Sequence, residues 1–169
     1  MSSKVLVAYA TKYGATAEIA AKIGEVLAQA GIAADVLPVK QVKDLDAYDA
    51  VVLGSAVYIF RWRKEAGRFL KANAKLLAER PLWIFSSGPT GEGDPVELAN
   101  GWRFPKGLQP LLDKIKPREV VVFHGAIDPG KMKGMEKWMI QKVGAAVEDS
   151  RDWEAIASWA GAIASALAS

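Results

Sequence analysis

The chain has no cysteine among its 169 residues, and that absence removes a large share of the available chemistry. A structural disulfide, a thiolate nucleophile, a zinc–thiolate centre and an iron–sulfur cluster all need sulfur that is not here. A redox centre in this chain therefore has to be a bound cofactor. Histidine is nearly as scarce, with His124 alone. No run of about 18 apolar residues is present to span a bilayer. Met1 to Lys4 lead straight into a strand-like segment rather than an apolar leader. The expectation is a soluble, cytoplasmic protein, with peripheral contact to an anionic membrane still allowed. Glycine and proline are not in excess, and no low-complexity segment or solenoid-length repeat is visible. Charge of one sign is also lacking: the formal net charge is +3. Without interleaved arginines and aromatics, that is too little to argue for nucleic acid.

What is present is an alternation of strand and helix signals in a chain long enough to bury one sizeable core, 51% of it hydrophobic. Lys4 to Tyr9 is a short apolar run. Ala17 to Ala30 then places Ile19, Ile23, Val26 and Leu27 at helical spacing before Gly31 closes the helix. Ala34 to Val39 reads as a second strand. Ala50 to Gly54 is a third without polar alternation, the pattern of a strand covered on both faces. Lys64 to Glu79 reads as a helix with Phe69, Leu70 and Leu77 inward, ended by Pro81, and Leu82 to Ser87 is the fourth strand. Leu108 to Ile115 is a shorter helix and Glu119 to His124 the fifth strand. Trp153 to Leu167 is the closing helix, with Asp152 as its N-cap. This order predicts an α/β protein built on a doubly wound five-stranded parallel sheet, order 2-1-3-4-5, with helices on both faces. One domain is expected over residues 1–169, with an extra helix near 132–144. Ligands in such sheets sit beyond the carboxyl ends of the strands, at the point where the winding direction reverses.

The loop after the first strand is Thr11-Lys12-Tyr13-Gly14-Ala15-Thr16, running into a helix. Hydroxyls and free amides at a helix N-terminus make a metal-free pocket for a monophosphate. The turn fits equally a pair of hydroxyls that only cap the helix. It has neither the G-x-G-x-x-G pattern of dinucleotide sites nor the G-x-x-x-x-G-K-[ST] of triphosphate sites.

This turn resembles the [ST]-x-T-G-x-T phosphate loop of flavodoxins, with Thr11, Gly14 and Thr16 matching and Tyr13 departing from the usual threonine. The chain is similar, nearly end to end, to flavodoxin-domain proteins related to menaquinone-dependent protoporphyrinogen oxidase. The residues that carry this are Val51 to Gly54, the aromatic loop to Trp62, Phe69-Leu70-Lys71, Gly125-Ala126, Trp138-Met139-Ile140 and Asp152-Trp153-Glu154. The Gly/Pro-rich stretch from Gly88 to Lys106 departs from that oxidase. The resemblance implies a flavodoxin-like fold and non-covalent FMN, used for electron or hydride transfer with a redox partner protein or a quinone. It implies that Thr11, Lys12, Tyr13, Gly14, Ala15 and Thr16 hold the FMN phosphate. It also implies that two further loops sandwich the flavin ring: Ser55, Ala56, Val57, Tyr58 and on to Trp62, and Ser87, Gly88, Pro89, Thr90 and Gly91. An aromatic lid and close backbone approach at glycine suit a flat ring. An oxidase-like flavoenzyme passing electrons to a quinone at the membrane surface is the alternative to a carrier, and the net positive charge leans away from the acidic carriers of this family.

Other features weigh less. His124 reads as structural, and Glu92, Asp94 and Glu97 as solvated charges without the geometry of a carboxylate pair. Trp83, Trp153 and Trp159 read as core or helix-packing residues. Arg61, Arg63 and Lys64 beside the flavin loop either attract an anion or simply begin a solvated helix. From Met132 to Val143 a Met-rich stripe lies opposite Lys133 and Lys137, which fits a helix on an anionic membrane or an ordinary core helix.

Overall fold

The computed structural model describes residues 4–58, 61–88, 94–98, 101–127 and 148–168. The helix expected near 132–144 lies outside the described residues, as do Pro89, Thr90 and Gly91.

Five parallel strands form the body of the sheet: β1 (Lys4–Ala10), β2 (Ala33–Pro38), β3 (Ala50–Tyr58), β5 (Leu82–Ser87) and β6 (Glu119–Phe123), in spatial order β2-β1-β3-β5-β6. A sixth strand, β4 (Arg61–Trp62), pairs antiparallel with the end of β3. The expected count of five is thus one short. The stretch read as an aromatic loop is a tight hairpin in which Val57 faces Trp62 and Tyr58 faces Arg61. Two residues of β4 are too few to show a period, so only their pairing with β3 reveals the strand.

Successive strand residues enter opposite core layers, as the two-residue period requires. Leu6, Val51, Leu53, Leu82 and Ile84 pack with α2 (Lys64–Ala72), α3 (Ala74–Leu77) and α5 (Gln109–Ile115), which supply Phe69, Leu70, Leu77, Leu112 and Ile115. Val5, Val7, Val52, Trp83 and Phe85 pack with α1 (Ala15–Gln29) and the closing helix, α6 (Trp153–Ala168), through Ile19, Ile23, Ile156 and Ile163. Each such aliphatic side chain taken fully out of water contributes about 1.5–3 kcal/mol. Phe85, Phe123 and Trp159 form an aromatic triad with centroids 5.4–6.1 Å apart, and the Phe85 ring fills the space over Gly54. A Cβ at that position would overlap the ring.

Boundaries follow local chemistry. Gly31 adopts the left-handed conformation that ends α1, with φ +84°. The expected helix over residues 64–79 is broken at Asn73, whose side-chain amide donates to the Phe69 carbonyl while its own carbonyl accepts from Leu77 N. A 3-10 turn, Lys106–Leu108, precedes α5. A short helix, α4 (Pro95–Leu98), lies within the Gly/Pro-rich stretch, and Asp94 accepts from Val96 N at its start. Asp152 accepts from Ala155 N and caps α6, as expected. Trp83 and Trp159 are buried, whereas Trp153 is exposed, with Arg151 stacked on its ring. A small two-stranded ribbon, β7 (Ala126–Ile127) with β8 (Glu148–Asp149), brings the chain back toward α1. Among the described residues no helix is long and apolar enough to cross a membrane.

Candidate functional site

The carboxyl ends of β1, β3 and β5 lie side by side, because Ala10 pairs with Ser55, and Ser55 and Ala56 pair with Ser86 and Ser87. The chain leaves β1 toward β2 on one side and resumes with β3 on the other, so the turn after β1 opens at the reversal point.

That turn is organised by Thr11, whose Oγ1 accepts the Gly14 N–H at 3.0 Å. Gly14 has φ +96° although a Cβ would meet nothing within 4 Å. Glycine is needed there for its backbone conformation and not for space. Gly14 is also the N-cap of α1, and no side chain caps it. The reading of Thr11 and Thr16 as helix caps is therefore not what is seen. Thr11 closes the turn, and the first-turn amides of α1 keep no side-chain acceptor. Thr16, in the first turn of α1, is 1% exposed. Lys12 is exposed over the Tyr13 ring, its Nζ 5.4 Å from the centroid. The donor set suits a phosphate: open amides, a left-handed turn, a nearby cation and a helix dipole behind them.

Beside it, three strand ends close against each other with no room for side chains. A Cβ on Gly88 would sit 3.0 Å from Val57 Cβ, and one on Gly125 would sit 3.1 Å from the Gly88 carbonyl oxygen. Gly88 N donates to Phe123 O at 3.2 Å. Ala56, Val57, Ser87 and Gly88 thus lie together at this end of the sheet. Ser55 is wholly buried. Its hydroxyl donates to Ala56 O and accepts from Arg63 N, which ties the end of β3 to the start of α2. Trp62 packs into the core layer, 8% exposed. Its indole N–H donates to Ser86 Oγ, which in turn donates to the Arg103 carbonyl. Tyr58 lies in β3 by its backbone, and its side chain is outside the described residues. His124 is buried beside Gly125 at the end of β6.

One residue escaped the sequence reading. Arg151 bonds Asp149 through Nε and Nη2, bonds Glu18 through Nη1, and donates from Nη1 to the Ala15 carbonyl at 3.3 Å. The Asp149 hydrogen bonds, foremost among the causes, raise the arginine above its ordinary value, and Arg151 holds the Asp149 carboxyl below its own. This network anchors the first turn of α1 to the segment before α6. The polar run Asp149 to Asp152 is visible in the sequence, but nothing local shows that it reaches the start of α1.

A parallel doubly wound sheet with an uncapped, glycine-led helix start at its reversal point is the architecture of an α/β protein able to seat a phosphate. The chain belongs to the flavodoxin-domain family: residues 6–153 match the family described as Flavodoxin domain, whose cofactor is FMN. Protoporphyrinogen IX dehydrogenase [quinone] of Escherichia coli K12 is 24% identical to it over 172 residues, covering 95% of this chain and 94% of that one. An archaeal flavodoxin aligns at 14% identity with a TM-score of 0.64, over 98% of this chain and 99% of its own. A cysteine-to-serine variant of a Pseudomonas aeruginosa flavodoxin aligns at 17% with a TM-score of 0.58, over the same shares. These two structures share the fold.

Proposed function

We propose that this protein binds FMN non-covalently at the ends of β1, β3 and β5 and works as an oxidoreductase. The observation that supports this reading is the start of α1, where the left-handed Gly14 N-cap, without a side-chain cap, leaves first-turn amides open to a phosphate, with Thr16 buried in the same turn. Thr11 holds that turn in shape, and Lys12 adds positive charge at its rim. Ala56-Val57 and Ser87-Gly88 flank the flavin ring, offering backbone groups to its polar edge where glycine lets the chain approach closely. By the family resemblance Pro89, Thr90 and Gly91 belong to the same loop, and Tyr58 is the aromatic candidate for the ring's cover. FMN supplies the exchange of electrons with a partner; the chain's own residues seat the phosphate, orient the ring and exclude water from one of its faces.

The finer reading is a flavoenzyme that oxidises protoporphyrinogen and passes electrons to a quinone. It is favoured by the end-to-end similarity to the Escherichia coli dehydrogenase and by the net positive charge. The test of the main reading is the absorbance spectrum of the purified protein, with the released flavin identified by mass. A colourless protein that also fails to bind added FMN would sink it. The finer reading requires that the FMN-loaded protein accelerate porphyrin formation from protoporphyrinogen IX when menadione is supplied. Electron transfer to protein acceptors without that activity favours the carrier.

A further inference from the structure

A concave site lies beside the β3–β4 hairpin and the start of α2. It is a cleft of about 380 Å³ lined by Arg61, Trp62, Arg63, Lys64, Arg68 and Lys71, and closed opposite by Pro105, Gly107 and Leu108. Five of those side chains are cationic, and no acidic side chain among the described residues lines the cleft. Lys64, Arg68 and Lys71 recur at four and three residues along α2 and share one of its faces, while Ala66, Phe69 and Leu70 are buried on the other. Like charges at this spacing repel, and a cation in the first turn, as Lys64 is, also opposes the helix dipole. The acid beside them, Glu65, is already shared by Arg63 and Lys40. Among the described residues Arg61, Lys64, Arg68 and Lys71 have no ion-pair partner, and all four are exposed. A solvated helix face would carry both signs of charge. This one concentrates a single sign in a hollow with an apolar floor, against a local electrostatic cost, as functional sites do.

We propose that this cleft is a binding site for a small organic polyanion: a compact apolar body bearing two or more carboxylates. Trp62 and Leu108, both buried at the floor, take the apolar body. The α2 cations and Arg61 take the carboxylates, with arginine able to grip them bidentately. The volume suits a small molecule better than a protein segment. Val57 and Trp62 pair across the hairpin, so Trp62, which lines the cleft, is joined directly to the strand whose end enters the proposed flavin site. The binding site itself stands without the flavin reading; its meaning as a substrate pocket rests on it.

The probe is benzene-1,3,5-tricarboxylate, titrated calorimetrically into the FMN-saturated protein at low ionic strength, with its neutral trimethyl ester as the uncharged counterpart. The tricarboxylate is expected to bind, more weakly as salt rises, and the ester is not. In Arg68→Gln/Lys71→Gln the affinity should fall at least tenfold while FMN affinity, read separately by flavin fluorescence, is unchanged. Lys114→Gln/Lys116→Gln removes as much charge from the opposite end of the sheet, where those lysines line a different hollow, and should leave tricarboxylate binding intact. No binding at low salt, or an equal loss in both double variants, would overturn the proposal. So would binding of anionic phosphatidylglycerol vesicles, lost in Arg68→Gln/Lys71→Gln, by a protein that ignores the tricarboxylate; the patch would then be a lipid-facing surface. A protein that takes no FMN can still be titrated with the tricarboxylate, so failure of the flavin reading is distinguishable from failure of this one.

Discussion

Thr16 concentrates the test of the phosphate seat, since it is buried in the first turn of α1, where no side chain caps the helix. Thr16→Glu puts a negative charge where the phosphate would sit and removes the hydroxyl donor. FMN affinity should fall by about 1.5–3 kcal/mol, roughly ten- to hundredfold, in a fluorescence titration; an unchanged titration would take this turn out of the site. Gly54 makes a different demand. In the sequence it ends a strand-like run, and a turn would explain it. In the fold the Phe85 ring of the neighbouring strand presses on its Cα, so Gly54→Ala should cost about 1–3 kcal/mol of stability through overpacking, measured as a lowered urea midpoint. Gly14 was legible because it belongs to a local pattern. Gly54 was not, because its constraint comes from a ring on another strand.

Element by element, the strands were legible where both-face burial made continuous apolar runs, as in Ala50 to Gly54 and Leu82 to Phe85. The extension of β3 to Tyr58 was not, because Ser55 looks like a loop residue until its hydroxyl is seen satisfied between Ala56 and Arg63. That extension affects redox behaviour. Carriers of this family favour one-electron chemistry when a glycine-eased peptide in this region flips toward the flavin, whereas here Ala56, Val57 and Tyr58 are held in a strand and Val57 is β-branched. Stepwise dithionite titration should pass from oxidised to fully reduced flavin with little long-wavelength absorbance between; a strong transient long-wavelength band would speak for a carrier. The edge strand β2 carries a second testable device. Tyr48 donates to Asp35 at 2.7 Å, and this bond, more than burial, pushes the phenol up to about 12. Asp35 is held below its ordinary value by the same bond, with Lys4 assisting. A tyrosine raised in the fold lends stability that is complete below its unfolded value near 10 and is lost as pH climbs through about 12. A carboxylate lowered in the fold lends stability that fades as pH falls below the ordinary carboxylate range. Phenolate absorbance should therefore show one late-titrating tyrosine, and Asp35→Asn should bring it back toward 10.

On the scale of the whole molecule, Arg151 joins regions that the chain order keeps apart. Arg151→Gln should loosen the first turn of α1 and weaken FMN binding several-fold, with little change in the far-ultraviolet spectrum. Double substitution with Glu18→Gln should cost less than the sum of the two single changes, because both act on one network; strict additivity would show that the bridge does not carry the effect. The same bridge has a consequence for biosynthesis. Ala15, in the turn proposed to seat the phosphate, leaves the ribosome 136 residues ahead of the arginine that bonds its carbonyl. At about 5–20 residues per second, many seconds separate the two, and β1, β2, β3 and β5 can already pair in that interval. If the proposed seat needs this bridge, a nascent chain stalled with Arg151 still inside the exit tunnel should hold FMN poorly, and one stalled after it has cleared should hold it firmly.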